Sequence, residues 1–298
     1  MTIKSGFART TDGVDLYWRA IGSGPTMVCC NGVGVSTFFF KYVVRHFRER
    51  FRVIVWDYRG HGLSGTPADV RAADLSVEQN ARDLALVLDA VGASDPAVLL
   101  GHSMGCQVIL DFARQFPERV SALVPMFGTY ARPLDTFMDF AYSRQVFDVL
   151  NRVTRLGGRN AGRLLRPIYA SPVSLTIGRG SGLVDKYYCR RRDLENYLDH
   201  MVHLDPQVFM RMCELMADHD LTEFLPSCER PVLVIAGEND LFTPLHRSER
   251  MADLLPNSEL FVLAEGSHAA IVEYPDTINR RIERFLANHD LPRDRPSA

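Results

Sequence analysis

The chain lacks any apolar run approaching the roughly 18 residues needed to cross a bilayer. Its first residues, Met1-Thr2-Ile3-Lys4-Ser5-Gly6, carry no long apolar stretch behind the lysine, so neither a membrane span nor a secretory leader is expected. It also lacks an excess of charge of one sign. There are 34 Lys and Arg against 36 Asp and Glu, a net charge of -2. Such a balance is not built for non-specific nucleic-acid binding. Paired cysteine spacing is missing too. The six cysteines (29, 30, 106, 189, 213 and 228) form no CxxC pair, and Cys29-Cys30 sit inside an apolar run as buried thiols. A reduced, cytoplasmic protein without structural zinc is the expectation. Internal repeats and low-complexity tracts are absent. What remains is ordinary globular composition, 46% hydrophobic and 23% charged, over 298 residues. That length suits two domains, or one large α/β domain carrying an insertion.

Short runs rich in apolar and β-branched residues alternate with helical patterns. They are Met27–Cys30, Val53–Trp56, Ala97–Leu100, Ala122–Phe127, Val232–Ala236 and Leu260–Leu263. Being apolar throughout, they read as strands buried on both faces of a parallel sheet. Residues 6–21 alternate around Asp12-Gly13, which predicts an antiparallel hairpin on the sheet edge. Ser76-Val77-Glu78-Gln79 reads as a capping box opening a helix that runs to about Val91 and stops at Gly92. From Tyr130 to about Phe224 there are helical patterns and no convincing strand. Within it, residues 141–192 hold 11 Arg and Lys against two Asp, so this stretch carries +9 and the remainder -11. The tail from Pro292 to Ala298 is expected to fray.

Gly101-His102-Ser103-Met104-Gly105 directly follows one predicted strand and precedes a helical pattern over Cys106–Phe116. The pentapeptide alone is a weak sign, but in this strand–turn–helix setting it marks a nucleophilic serine. Side chains two residues either side of Ser103 would clash in so tight a turn. The hydroxyl is lifted to a helix N-terminus, with its free N–H groups and partial positive charge. A serine needs a base, and the base needs an orienting acid. Two further loops supply them. Val232–Ala236 ends in Gly237-Glu238-Asn239-Asp240, and Leu260–Leu263 ends in Glu265-Gly266-Ser267-His268. Asp240 is preferred over Glu238 as the acid by its place in the loop, and His268 is the base. His102 neighbours the nucleophile, but successive side chains in the turn diverge, so it is not chosen. His61, in Arg59-Gly60-His61-Gly62, is read as structural. The oxyanion of a tetrahedral intermediate needs donors. These are assigned to the N–H of Met104 and, from the loop Asn31-Gly32-Val33-Gly34, the N–H of Val33.

These motifs give the chain a close resemblance to the capped, lipase- and esterase-like α/β-hydrolases, from the first hairpin to the last helix. Asp57-Tyr58-Arg59-Gly60-His61-Gly62-Leu63-Ser64 resembles that family's turn after its fourth strand. Gly101–Gly105, Gly237–Asp240 and Gly266-Ser267-His268 match its three catalytic loops. The resemblance implies a mostly parallel sheet flanked by helices, with a helical cap inserted after the sixth strand. Residues 1–129 and 225–298 would be the core, and 130–224 the cap over Ser103. Many relatives have His-Gly in the oxyanion loop where this chain has Asn31-Gly32. A backbone donor survives that change, but Asn31 alters how the loop is held.

The implied activity is that of a serine esterase. It would cleave a carboxylic ester of a small or medium apolar substrate through an acyl-enzyme on Ser103, with no cofactor and no metal. Hydrolysis of a carbon–carbon bond beside a ketone, or acyl transfer, would use the same residues. A protein that only binds a ligand on this fold is the alternative of another class. Dehalogenase and epoxide-hydrolase relatives place an Asp at the elbow, unlike Ser103. Phe137, Phe140, Tyr142, Phe147, Tyr187 and Tyr188 are expected to pack the cap onto the core or to line an apolar site. The basic excess of the cap could draw an anionic substrate, an acyl carrier or a membrane surface, though charge runs are usually solvated faces. Three weaker signals are set aside. Gly32-Val33-Gly34 with Asp57 only faintly suggests a dinucleotide site. Gly178–Gly182 reads as a flexible loop. His200 and His203, with Asp199 and Asp205 nearby, read as an exposed helix face rather than a metal site.

Overall fold

The computed structural model describes residues 2–135, 143–157, 184–185 and 187–291. Eight strands form one sheet: β1 Ile3–Arg9, β2 Asp15–Ile21, β3 Thr26–Cys30, β4 Arg52–Trp56, β5 Ala97–His102, β6 Val120–Met126, β7 Val232–Gly237 and β8 Ser258–Leu263. Their order is β1-β2-β4-β3-β5-β6-β7-β8. The hairpin β1–β2 is antiparallel and joins β4 antiparallel, while the other strands run parallel. Helices α1 Lys41–Phe47, α2 Val77–Val91 and α3 Met104–Gln115 make the first crossovers. Between β6 and β7 lie α4 Ser143–Gly157, α5 Arg191–His203 and α6 Pro206–Met216. Helices α7 Leu245–Leu254, α8 Ala270–Glu273 and α9 Pro275–Asn288 complete the chain.

The period-2 geometry of a strand sends neighbouring side chains to opposite faces. Val28 and Cys30 join Leu84, Leu88, Val108 and Phe112 on one side. Met27 and Cys29 join Val43, Phe47, Ile282 and Phe285 on the other. The adjacent cysteines therefore serve two different cores, and all six cysteines are buried free thiols. Each fully buried large apolar side chain contributes about 1.5–3 kcal/mol. Burying both faces explains why the central strands read as unbroken apolar runs. The last of them departs from that expectation. Leu260 and Val262 of β8 are each 38% exposed, because β8 is the edge strand and its outer residues are only partly covered.

Ser76 caps α2, its Oγ accepting from the Gln79 N–H at 3.1 Å, and Gly92 ends the helix with φ 70°. The reciprocal half of the expected capping box is different: the Ser76 N–H is taken by Asp74 at 3.0 Å. Among the described residues, the segment between β6 and β7 holds helices and no strand. Its neck is closed by an isolated bridge between Ala131 and Asp220, and by Gln107 donating to His219 Nδ1 at 3.0 Å. The expectations for Phe137, Phe140, Tyr142, Gly178–Gly182 and the tail from Pro292 fall outside the described residues, as does most of the basic stretch.

Candidate active site

Ser103 is the first residue past β5 and the N-cap of α3, with φ 56° and ψ -120°. That is left-handed backbone for a residue with a Cβ, a strain of about 1–3 kcal/mol found at functional turns. The flanking glycines permit it. A Cβ on Gly101 would stand 2.3 Å from the Gly105 carbonyl, and one on Gly105 would stand 2.2 Å from the Cys30 carbonyl. Strand, turn and helix are therefore closer than any side chain would allow.

Asp240 follows β7 and His268 follows β8. The Nδ1 of His268 lies 2.9 and 3.1 Å from the two carboxylate oxygens of Asp240. The carboxylate also accepts from the Phe242 N–H at 2.9 Å, the Thr243 N–H at 3.0 Å and the Thr243 hydroxyl at 2.7 Å. Burial alone would push the Asp240 carboxyl up, but His268 and the Thr243 hydrogen bonds outweigh it and hold the group below the usual carboxylate range. An Nδ1–H committed to Asp240 leaves Nε2 as the unprotonated nitrogen of a neutral ring. The imidazole is also held on its faces: Phe242 stacks on it at 4.8 Å and 26°, and the His102 ring lies 4.9 Å away.

Ser103 and His268 line one cavity of about 640 Å³. Its walls are mostly apolar and come from both parts of the chain. Val33 and Phe39 belong to the loop after β3, while Phe147, Leu194 and Phe209 belong to the helices between β6 and β7. No Lys or Arg stands among its described lining residues, and its one carboxylate wall residue, Asp193, is already held by Lys41 and Tyr42.

The loop after β3 brings Gly32 against Ser103: a Cβ there would stand 2.9 Å from Ser103 Cβ. Val33 lines the same cavity. Among the described residues, neither the Val33 N–H nor the Met104 N–H meets a protein acceptor. Asn31 is buried, donating to the Trp56 carbonyl at 2.9 Å while its own carbonyl accepts from the Tyr58 hydroxyl at 2.7 Å.

The remaining candidates are placed as follows. Glu238 is exposed and accepts from the Glu265 N–H at 3.4 Å, away from His268. His102 is buried beside the His268 loop. Its ring turns toward the His268 loop, with Nε2 2.9 Å from the His268 carbonyl. A carbonyl only accepts, so Nε2 carries the proton, and burial pushes the imidazole down to about 3. Asp57 is buried and takes the N–H groups of Thr37 and Leu63. His200 is not on an exposed face: it packs its ring 5.9 Å from both His61 and Phe38. His203 is exposed and bonds to the Asp199 carbonyl at 2.8 Å. Among the described residues, no group of three His, Cys, Asp or Glu stands together as metal ligands, and no helix is long and apolar enough to cross a membrane. Tyr187 and Tyr188, expected to pack or line, are instead 78% and 51% exposed. Sequence reasoning missed Phe242 and Thr243. Their signal was adjacency to Asp240 in a loop that must wrap a carboxylate.

A family model described as the alpha/beta hydrolase fold matches residues 25–275. The chain belongs to this family. A curated relative from Azorhizobium caulinodans, named "Putative carbamate hydrolase RutD", is 27% identical over 277 residues, covering 93% of this chain and 96% of the relative. Two solved structures share the fold. A thermophilic esterase from Thermogutta terrifontis superposes with a TM-score of 0.75 at 24% identity, over 97% of this chain and 99% of that one. An esterase from Exiguobacterium antarcticum does so with a TM-score of 0.76 at 21% identity, over 95% and 100%. Membership makes the chain a hydrolase of the alpha/beta fold.

Proposed function

We propose that this alpha/beta hydrolase is a serine esterase acting on uncharged, apolar carboxylic esters of small or medium size. The observation that carries the reading is the Asp240–His268 pair at 2.9 Å, facing the same apolar cavity as the strained Ser103. In this reading His268 Nε2 takes the Ser103 proton as Oγ attacks the ester carbonyl carbon. The oxyanion sits on the N–H groups of Val33 and Met104. Collapse expels the alcohol, which leaves with the proton from His268. Water then gives a proton to His268 and attacks the acyl carbon, and Ser103 departs reprotonated. Asp240 keeps the ring in the Nδ1–H tautomer and stabilises the imidazolium. Residues 130–224 act as a cap whose described helices supply the far wall of the cavity.

The curated relatives' name suggests carbamate as a second substrate class, and carbamate hydrolysis would use the same atoms. The cavity wall favours esters. A small anionic carbamate would find no Lys or Arg among the described lining residues, and would lose its hydration against apolar side chains. The test is hydrolysis of p-nitrophenyl esters from acetate to palmitate beside carbamates, with wild type and Ser103→Ala. We expect ester turnover that rises above acetate and vanishes in the variant. Turnover confined to carbamates would overturn the ester assignment, and activity surviving Ser103→Ala would overturn the serine mechanism.

A further inference from the structure

The loop assigned to oxyanion binding makes few hydrogen bonds of its own. From Asn31 to Thr37 it is tied to the end of β4 and the segment after it. Asn31 donates to the Trp56 carbonyl at 2.9 Å, and Tyr58 donates to the Asn31 carbonyl at 2.7 Å. The Thr37 N–H donates to Asp57 at 2.9 Å. Ser36 also bonds to Asp57 through its side chain, and a further tie is a side chain the esterase reading leaves idle: the Gly34 N–H donates to His61 Nε2 at 3.1 Å. His61 is fully buried. Its Nδ1 faces the Arg59 carbonyl at 3.1 Å. That carbonyl can only accept, so Nδ1 carries the proton and Nε2 is a bare acceptor aimed at the loop.

We propose that His61 is a positioning residue for the oxyanion hole: by accepting the Gly34 N–H it fixes the Val33–Gly34 peptide, next to the Gly32–Val33 peptide that presents the Val33 N–H to the transition state. The inference rests on the serine-esterase reading of the site. The geometry gives it force. Tyr58 holds the Asn31 carbonyl on one side of Val33, and His61 holds the Gly34 N–H on the other. Two restraints flank the donor, and Gly32 between them abuts Ser103. Gly34 is at φ 78°, where the backbone has no steric reason to choose one orientation. An external acceptor is what selects it. The acceptor must stay neutral, since an imidazolium would set an N–H against an N–H. The helices between β6 and β7 secure this by covering it. The His200 ring of α5 lies 5.9 Å from the His61 ring, and burial pushes His61 down to about 4.

An oxyanion donor is used only in the transition state, so loosening it lowers kcat and leaves KM. The test compares His61→Gln, whose Oε1 can stand where Nε2 stands, with His61→Asn and His61→Leu, which put no acceptor there. In a chain shown to require Ser103, we expect kcat for an ester to fall by about 10- to 100-fold in the Asn and Leu variants, with KM within about twofold. Gln should recover most of the loss. Affinity for a trifluoromethyl ketone, which forms the same oxyanion on serine, should fall in step with kcat/KM. Tyr58→Phe releases the other side of Val33 and should show the same split, which guards against one variant failing to fold. Equal losses in Gln and Asn, or unchanged trifluoromethyl ketone affinity in a slow variant, would overturn the role. Loss of every activity with Ser103 dispensable would instead indict the esterase reading.

Discussion

At Ser103 the proposed chemistry and stability oppose each other. Its φ of 56° and ψ of -120° suit glycine, and the strain is held by packing on both sides. Ser103→Gly should therefore abolish turnover and raise Tm by about 2–4 °C, the equivalent of about 1 kcal/mol in a chain of this size. A Tm unchanged or lowered in thermal melts would show that the turn is unstrained. Asp240 behaves differently. It is fully buried and accepts from His268, Phe242 and Thr243. Asp240→Asn keeps the size but presents an NH₂ to Nδ1, which favours the wrong imidazole tautomer. We expect kcat to fall by about 10³–10⁴-fold, by analogy with the same change in serine proteases. Single-turnover kinetics would check this, and a loss under tenfold would show that the carboxylate does not govern the tautomer.

Among the elements, the contact between α1 and α5 carries the most consequence for the substrate. Asp193, near the start of α5, is buried at the cavity wall and pairs with Lys41 of α1. Tyr42 donates to it at 2.9 Å, and Arg190 donates to Tyr42 at 3.1 Å. This joins the inserted helices to the core beside the pocket but touches none of the reacting atoms. Asp193→Asn should cost about 2 kcal/mol of stability and raise KM several-fold while kcat stays within about twofold. A kcat loss with unchanged KM would place Asp193 in the chemistry instead. The elements themselves were largely legible. Runs buried on both faces declared the inner strands, Ser76 and Gly92 declared α2, and the helical patterns after Tyr130 declared the helices described between β6 and β7. Ser103, Asp240 and His268 could be named because each follows a strand in a loop of distinctive residues. Less legible were features set by position in the sheet and by contacts distant in sequence. An apolar Leu260–Leu263 does not reveal that it is an edge. Nothing beside His61 says that its ring reaches Gly34, 27 residues earlier, or that His102 turns toward His268, 166 residues later.

Across the whole molecule, burial of titratable side chains dictates how stability responds to pH. His61 and His200 are pushed down to about 4, and His102 to about 3, from an ordinary value of 6.5, burial being the largest cause in each. A histidine whose folded value is depressed costs nothing above its unfolded value. As pH falls below 6.5 the unfolded chain takes up a proton that the folded chain refuses, so stability declines until the folded value is reached. Asp240, held below its ordinary value, acts in the same direction at lower pH: its contribution is present above the unfolded value and is lost as pH falls through the folded one. Asp57 opposes them. Burial raises it from 3.8 to about 6, so its ionisation in the folded state costs stability as pH rises between those values. Glu273, also raised by burial, opposes them too, but three histidines against two carboxylates leave a net gain with rising pH. Tm should climb by about 5 °C or more between pH 4.5 and 6.5 and then level off. Differential scanning calorimetry across that range is the check. A flat or falling Tm would mean that these imidazoles are protonated in the folded chain. In that case His61 could not accept the Gly34 N–H, and the clamp on Val33 would fail with it.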